Sequence, residues 1–357
     1  MKILTITGTR PELIRLSLII KKLDLLVDHV LVYTNQNYDY NLSGRFFDEM
    51  GIRFPNYYFD QNGGSFGEFL GNALIEFEKI IKKEDPDKIL ILGDTNSGLL
   101  SIIAERYKIP IYHMEAGNRC YDDRVPEEMN RKIIDTLSRY NLPYTENSKQ
   151  NLLNEGFHKN FVYKTGNPIY EVLEHYKSNI DESTVLSDLN VEFMKYVLVT
   201  THRAENVDNP ENLIHIFESL NTISDQMKVV LPIHPRTRQK IKGKVTLSDE
   251  IIVTDPLGFF DFVNLEKHAY CVISDSGTVT EETMLFDVPS LIIRESTERQ
   301  ELIENGSSIL TGMKYGSIVN SFNLISQLGS TWEKLDDYTD KNVSDKVIKI
   351  LIGESND

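Results

Sequence analysis

Residues 2–20 read KILTITGTRPELIRLSLII. The run KILTITG (2–8) is short, apolar and rich in β-branched residues, the mark of a buried strand. Pro11 suits the first turn of a helix and Glu12 its positive end. Leu13, Leu16, Ile19 and Ile20 then fall on one helical face. A buried strand running straight into an amphipathic helix is the repeating unit of a parallel α/β sheet. It recurs as HVLVYT (29–34), a helix over 66–83, KILIL (88–92), a helix over 97–106, PIYHM (110–114) and a helix over 126–138. The pattern restarts at YVLVTTHR (196–203), followed by a helix over 210–224 and the strands VVLPIH (229–234), IIVTD (251–255), CVIS (271–274) and SLIIR (290–294). The halves open alike, with TGTRPE after the first strand of one and TTHRAEN after that of the other. The expected fold is α/β: two doubly wound, Rossmann-like domains facing a cleft. A charged helical segment, 171–195, separates them, giving domains over 1–170 and 171–357.

Bulk properties agree with two folded domains. The chain has 357 residues, 40% of them hydrophobic. A net charge of −16 argues against nucleic-acid and anionic-membrane partners, which need a basic surface. Cys120 and Cys271 lie far apart and make neither an expected disulfide nor a zinc site. The N-terminus lacks a signal-peptide pattern and no apolar run reaches membrane-spanning length, so the expected location is cytoplasmic.

The polar motifs cluster where strands end. GTRPE (8–12) offers Arg10 after a tight turn at Gly8. GDTNS (93–97) offers Asp94, either as a helix cap or as an acid or base. HMEAGNRC (113–120) places Glu115 directly after a strand, where a buried carboxylate needs a partner or a chemical role; Arg119 and Arg124 are the candidate structural partners. PEEMNRK (126–132) has Glu127 and Glu128 in the first turn of a helix, where they complement its dipole. In the second half, THRAEN (201–206) offers His202 and Arg203 for ligand contact. HPRTR (234–238) offers His234, for phosphate or as a basic surface turn. DSGTVTEE (275–282) is the strongest local signal. Ser276, Gly277 and Thr278 present backbone N–H groups at a helix start, suited to phosphate, and Glu281 or Glu282 could accept from ribose hydroxyls. RESTERQE (294–301) reads equally as a solvated loop. No P-loop, GxGxxG, HExxH or GxSxG pattern occurs, so an enzyme reading requires neither cofactor nor metal.

Taken in order, GTRPE, QNYD (36–39), GDT, EAG-R, PEE-NR, TGNP (165–168), THR-EN, HP, DSG-EE and TER-E resemble the bacterial UDP-N-acetylglucosamine 2-epimerase family over most of residues 1–315. The resemblance implies a two-domain fold of the GT-B type, with the last helix (about 341–357) packing back on the first domain, a UDP-sugar substrate and a homodimer. It implies Asp94, Glu115 and Glu127 as the proton-handling set and His202 beside the leaving diphosphate. Arg10 and Arg15 would contact diphosphate, Ser276 and Gly277 would hold phosphate near Thr278, and Glu282 would bind ribose. GDTNS, HMEAGNRC, PLGFFDF (256–262) and DSGT are most similar to the UDP-N-acetyl-L-fucosamine synthases, which epimerise UDP-2-acetamido-2,6-dideoxy-L-talose for capsule and O-antigen pathways. Many glucosamine epimerases instead carry a second Gly at the position of Thr278 and often a Lys at that of Arg15. Asn35 and Gln300 depart from the family's usual Gly and Pro. The alternatives are formation of UDP-N-acetylmannosamine from UDP-N-acetylglucosamine, a hydrolysing epimerase, a GT-B glycosyltransferase and a non-catalytic sensor.

Overall fold

Strands in a parallel sheet covered on both faces tend to be apolar along their length, as the central strands here are, and twelve short strands form among the described residues. In a computed structural model, six form one all-parallel sheet: β1 (Lys2–Thr7), β2 (Asp28–Tyr33), β3 (Tyr57–Tyr58), β4 (Lys88–Leu92), β5 (Ile111–Met114) and β6 (Tyr140–Leu142), in the order β3-β2-β1-β4-β5-β6. The other six form a second: β7 (Tyr196–Thr200), β8 (Lys228–Pro232), β9 (Ile251–Thr254), β10 (Cys271–Ser274), β11 (Ser290–Ile292) and β12 (Ser308–Leu310), in the order β12-β11-β10-β7-β8-β9. The structure describes residues 1–34, 40–59, 65–233, 235–329 and 331–353, without the side chains of 40–43, 204, 235 and 236. The QNYD motif and His234 lie outside the described residues.

The chain divides into two compact units, Met1–Glu174 with Asp336–Asp357, and His175–Leu335. In the first, Leu4, Ile6, Val30, Val32, Ile89 and Ile91 pack against Ala73, Phe77, Ile80 and Ile81 of the helix Phe66–Glu84. That helix begins with a reciprocal cap between Ser65 and Glu68 and ends at Asp85 in the left-handed conformation. In the second, Val197, Val199, Val229, Leu231 and Ile273 pack against Leu213, Ile216, Phe217 and Leu220 of the helix Pro210–Ser224. The expected helix over 97–106 is a 3₁₀ turn, Asn96–Leu100, followed by an α-helix, Ser101–Arg106. Ser97, Gly98 and Ser101 are weak helix formers, consistent with the tighter turn. The charged segment 171–195 is broken into three short helices, Ile169–His175, Lys177–Asp181 and Val185–Asp188.

The last helix, Val343–Gly353, completes the first unit and packs on the helix Arg10–Leu26. It buries Val343, Val347, Ile348 and Leu351. Lys88 is buried in β4 and donates through Nζ to the Leu351 carbonyl at 2.7 Å. Ser344 N donates to Glu171 at 2.8 Å, and Lys22 Nζ reaches Asp345 at 2.6 Å. Leu351→Ala should therefore destabilise the first unit by about 2–4 kcal/mol. The urea midpoint followed through this unit's fluorescence or exchange should fall; an unchanged midpoint would show that the helix is not part of its cooperative core.

Candidate active site

Each sheet reverses its strand order once, between β1 and β4 in the first and between β7 and β10 in the second. Connections leave such a switch point in opposite directions, and the carboxyl ends of its strands open a ligand-binding crevice. GTRPE follows β1 and GDTNS follows β4, while THRAEN follows β7 and DSGTVTEE follows β10.

In the first unit these ends hold a cluster of buried charge. Arg15, from the helix Arg10–Leu26, donates through Nη1 to Glu115 Oε2 at 3.0 Å, and both side chains are almost wholly buried. Arg131, from the helix Pro126–Leu137, pairs with Asp94 through Nη2. The same nitrogen lies 3.6 Å from Glu115 Oε1, and its Nη1 donates to the Glu115 carbonyl at 2.6 Å. Asn118 and Asn130 add hydrogen bonds to the Glu115 side chain and to the Asp94 carbonyl, at 3.4 and 3.0 Å. Glu115 has a backbone φ of 63°, a left-handed conformation unusual for Glu and characteristic of constrained functional positions. Arg119 pairs with Asp135 and Glu155, and Arg124 with Asp122.

Two contributors were missed by sequence reasoning. Glu12, read as a helix-dipole residue, turns back into the site. Gly8 N and Thr9 N donate to its Oε2 at 2.6 and 3.1 Å, and the Thr95 hydroxyl donates to its Oε1 at 2.6 Å. Burial pushes its carboxyl up to about 7, with the charge of Asp94 adding to the rise and these hydrogen bonds opposing it. The turn that allows this is tight, since a Cβ on Gly8 would lie 1.9 Å from Ser97 Oγ. His113, wholly buried in β5, lies beneath the Asp94 loop. Its Nε2 is 2.8 Å from the Gly93 carbonyl and its Nδ1 2.8 Å from Asp135 Oδ1. Burial alone would raise Asp135, but His113 and Arg119 outweigh it and hold its carboxyl below the ordinary range.

The remaining first-unit candidates are less enclosed. Glu127 is half-buried in the first turn of Pro126–Leu137, whereas its neighbour Glu128 is buried, accepts from Cys120 N at 2.9 Å and pairs with Lys132. Arg10 is half-buried with its guanidinium 5.3 Å over the Phe46 ring; burial lowers its pKa, against the charge of Tyr33.

The second unit is organised by a residue the sequence did not single out. Asp275 is wholly buried at the end of β10 and accepts from Thr201 Oγ1 at 2.8 Å and from His202 N, Arg203 N and Asn206 Nδ2, each at 3.0 Å. One carboxylate thus fixes the THRAEN turn. The His202 ring remains 58% exposed with Nδ1 3.3 Å from Asp275, while Arg203 Nε donates to the Asp275 carbonyl at 3.1 Å. Ser276 caps the helix Gly277–Leu285 in extended conformation, and its side chain makes no capping bond. The first N–H groups of the helix, at Gly277 and Thr278, therefore have no intrahelical acceptor. A Cβ on Gly277 would lie 2.4 Å from Arg299 Nη1, so the turn and that guanidinium are in close contact. Arg299 pairs with Glu281 and Glu298, and Arg294 with Glu298. RESTERQE is thus not a solvated loop: Arg294, Thr297 and Arg299 are buried. Glu282 is also buried, one helical position beyond Glu281. Among the described residues no cluster of three or more His, Cys, Asp or Glu side chains could hold a metal ion, and no helix is long and apolar enough to cross a membrane.

Comparison with known proteins matches this arrangement to one family. The model of the family described as UDP-N-acetylglucosamine 2-epimerase matches residues 21–352. The UDP-GlcNAc 2-epimerase of Methanocaldococcus jannaschii, crystallised with UDP-GlcNAc and UDP, superposes with a TM-score of 0.93 at 35% identity, covering 99% of this chain and 100% of that one. The UDP-2,3-diacetamido-2,3-dideoxy-D-glucuronate 2-epimerase of Pseudomonas aeruginosa is 36% identical over 327 residues, 90% of this chain and 91% of the relative. Phytolacca americana UGT2, complexed with UDP-2fluoro-glucose and pterostilbene, shares the fold alone, with a TM-score of 0.60 at 11% identity over 99% of both chains.

The Glu12 environment gives a stability signature. Glu12 ionises less readily in the folded protein, at about 7, than at its ordinary value of 4.5. Its contribution to stability is full below the ordinary value and is lost as pH rises through about 7, a change on the order of 3 kcal/mol. Glu12→Gln should lack this loss. Urea midpoints of the two proteins, compared between about pH 4 and pH 8, should converge or cross in that window; a constant difference would mean that Glu12 ionises normally.

Proposed function

The chain belongs to the UDP-N-acetylglucosamine 2-epimerase family, and we propose that it inverts C2 of a UDP-2-acetamido sugar by eliminating and re-adding UDP. It is an isomerase acting on a nucleotide sugar, built on a GT-B-like fold. The observation that best supports the proposed chemistry is the pairing of Asp94 and Glu115 with Arg131 and Arg15 at the switch point of the first sheet. A glycosyltransferase of the same fold leaves that set without a task.

The C2 proton of a 2-acetamido sugar is not adjacent to a ring carbonyl. As the C1–O bond breaks, its electron pair leaves with UDP, and positive character at C1 acidifies the C2 proton. A carboxylate takes that proton, and the C–H electron pair forms the C1=C2 bond of a 2-acetamidoglycal. Return of a proton to the opposite face of C2, with UDP re-adding at C1, gives the epimer. In this scheme Asp94, Glu115 and Glu127 handle the proton. The Arg partners supply the positive charge that faces the first two carboxylates. His202, Arg10 and Arg203 neutralise the diphosphate, with Arg15, already paired to Glu115, a weaker candidate; the N–H groups at Ser276, Gly277 and Thr278 bind phosphate, and Glu282 accepts from ribose.

The substrate we favour is UDP-2-acetamido-2,6-dideoxy-L-talose, giving UDP-N-acetyl-L-fucosamine. GDTNS, Thr278 and Arg15 support it, as residues that distinguish that branch from many glucosamine epimerases. The alternative is UDP-N-acetylglucosamine. Proton NMR in D2O separates them. Deuterium entering C2 of the talose sugar, with the fucosamine product, supports the favoured substrate. Exchange with UDP-N-acetylglucosamine alone moves the assignment to that sugar, and exchange with neither counts against both. In the same assay Asp94→Asn and Glu115→Gln should fold normally and lose about 10²–10⁴-fold in turnover, the usual scale of acid–base catalysis. Turnover like the parent's in either variant would remove that residue from the mechanism.

A further inference from the structure

The helices Phe259–His268 and Gly277–Leu285 pack together in the second unit and bring two carboxyls into contact. Glu266 is wholly buried and Glu282 is 3% exposed. No N–H or O–H donor of the described residues reaches either oxygen of Glu266. The neighbouring carboxyl whose charge acts on it is that of Glu282. Leu265, Val272, Val279 and Tyr196 belong to one buried apolar cluster of this unit, and the Tyr196 hydroxyl donates to the Leu265 carbonyl at 2.6 Å. The other titratable groups on elements packed here are Lys177, Asp181, Asp188, Cys271, Glu281, Glu301 and Glu304, with Asp261, Lys267 and His268 on the helix of Glu266 itself. Asp181 pairs with Lys267, Glu281 with Arg299, Asp188 accepts from Thr184, and the His268 ring is bonded to the Asn264 carbonyl.

Two ionised carboxyls in contact inside an apolar wall repel strongly, and one proton held between them turns repulsion into a strong hydrogen bond. Burial, and then the charge of Glu282, push the Glu266 carboxyl well above its ordinary range. We propose that Glu266 is a positioning residue that shares one proton with Glu282 and so holds Glu282 as an oriented acceptor for the ribose hydroxyls of bound UDP. This rests on the reading of Glu282 as the ribose ligand. It adds to the site a residue that does not touch the nucleotide.

The test is calorimetric binding of UDP and of 2′,3′-dideoxy-UDP to the full chain. The parent should prefer UDP by about tenfold or more, the scale of a hydrogen bond to a charged group. Glu282→Ala should abolish that preference; if the preference survives, the ribose reading is wrong and the role of Glu266 falls with it. With the preference traced to Glu282, Glu266→Leu should reduce it to near unity. Glu266→Gln should restore it, because the amide N–H donates to Glu282 in place of the shared proton. Survival of the preference in Glu266→Leu, or its loss in Glu266→Gln, overturns the role of Glu266 while leaving Glu282 in place. Should Glu266→Leu fail to fold, the pH profile decides. The parent's preference should fall at high pH, where the shared proton is lost, whereas that of Glu266→Gln stays level. Parallel profiles overturn the proposal.

Discussion

Buried charge in the first unit has to be neutralised where it lies, and the two arginines that do this tie the local architecture together. Arg15 and Arg131 come from different helices and converge on the same Glu115 carboxylate. Removing either partner of such a pair leaves an uncompensated ion, which costs about 3–5 kcal/mol. The helices Arg10–Leu26 and Pro126–Leu137 are therefore held in place by the site as well as by their apolar faces. Arg131 also grips the Glu115 carbonyl, which offsets the unfavourable left-handed backbone there. Geometry and charge at this carboxylate are thus set by two guanidinium groups together.

The alternating strands and helices were legible because their signals are local. An apolar run followed by Pro-initiated amphipathic sequence identifies a βα unit from about twenty residues, and β1 with its following helix is a clear case. The strands that escaped notice, Tyr57–Tyr58, Tyr140–Leu142 and Ser308–Leu310, are two or three residues long and lie at sheet edges, where too few side chains are buried to leave a pattern. Helix Tyr315–Leu328 escaped as well, although it buries Ile318, Phe322 and Ile325 on one face.

The carboxylates at strand ends were legible for the same local reason, but their partners were not. Glu115 was matched in sequence to Arg119 and Arg124, its near neighbours, while the actual partner Arg15 is separated from it by the whole of β2 and β4. Asp275 illustrates the same limit. Its role follows from β10 lying beside β7, an adjacency that linear spacing cannot reveal. Glu12 looked like an ordinary first-turn acid, and only the position of Thr95 and Asp94 gives it another character.

The first unit is interrupted in the chain by the second, and this has a consequence for biosynthesis. Residues up to Glu174 leave the ribosome long before Asp336 does. Through that interval β4 carries the Lys88 ammonium without its Leu351 acceptor, and the helix Arg10–Leu26 lacks its last covering layer. Domains of nascent chains generally fold as units while synthesis proceeds. Here the second unit can finish first although it is made later, and the first stays open to chaperones until the helix Val343–Gly353 has been made. A stop codon that removes the helix Val343–Gly353 would leave this opening permanent, so products stopped just short of Val343 would present their exposed surface in the amino-terminal half.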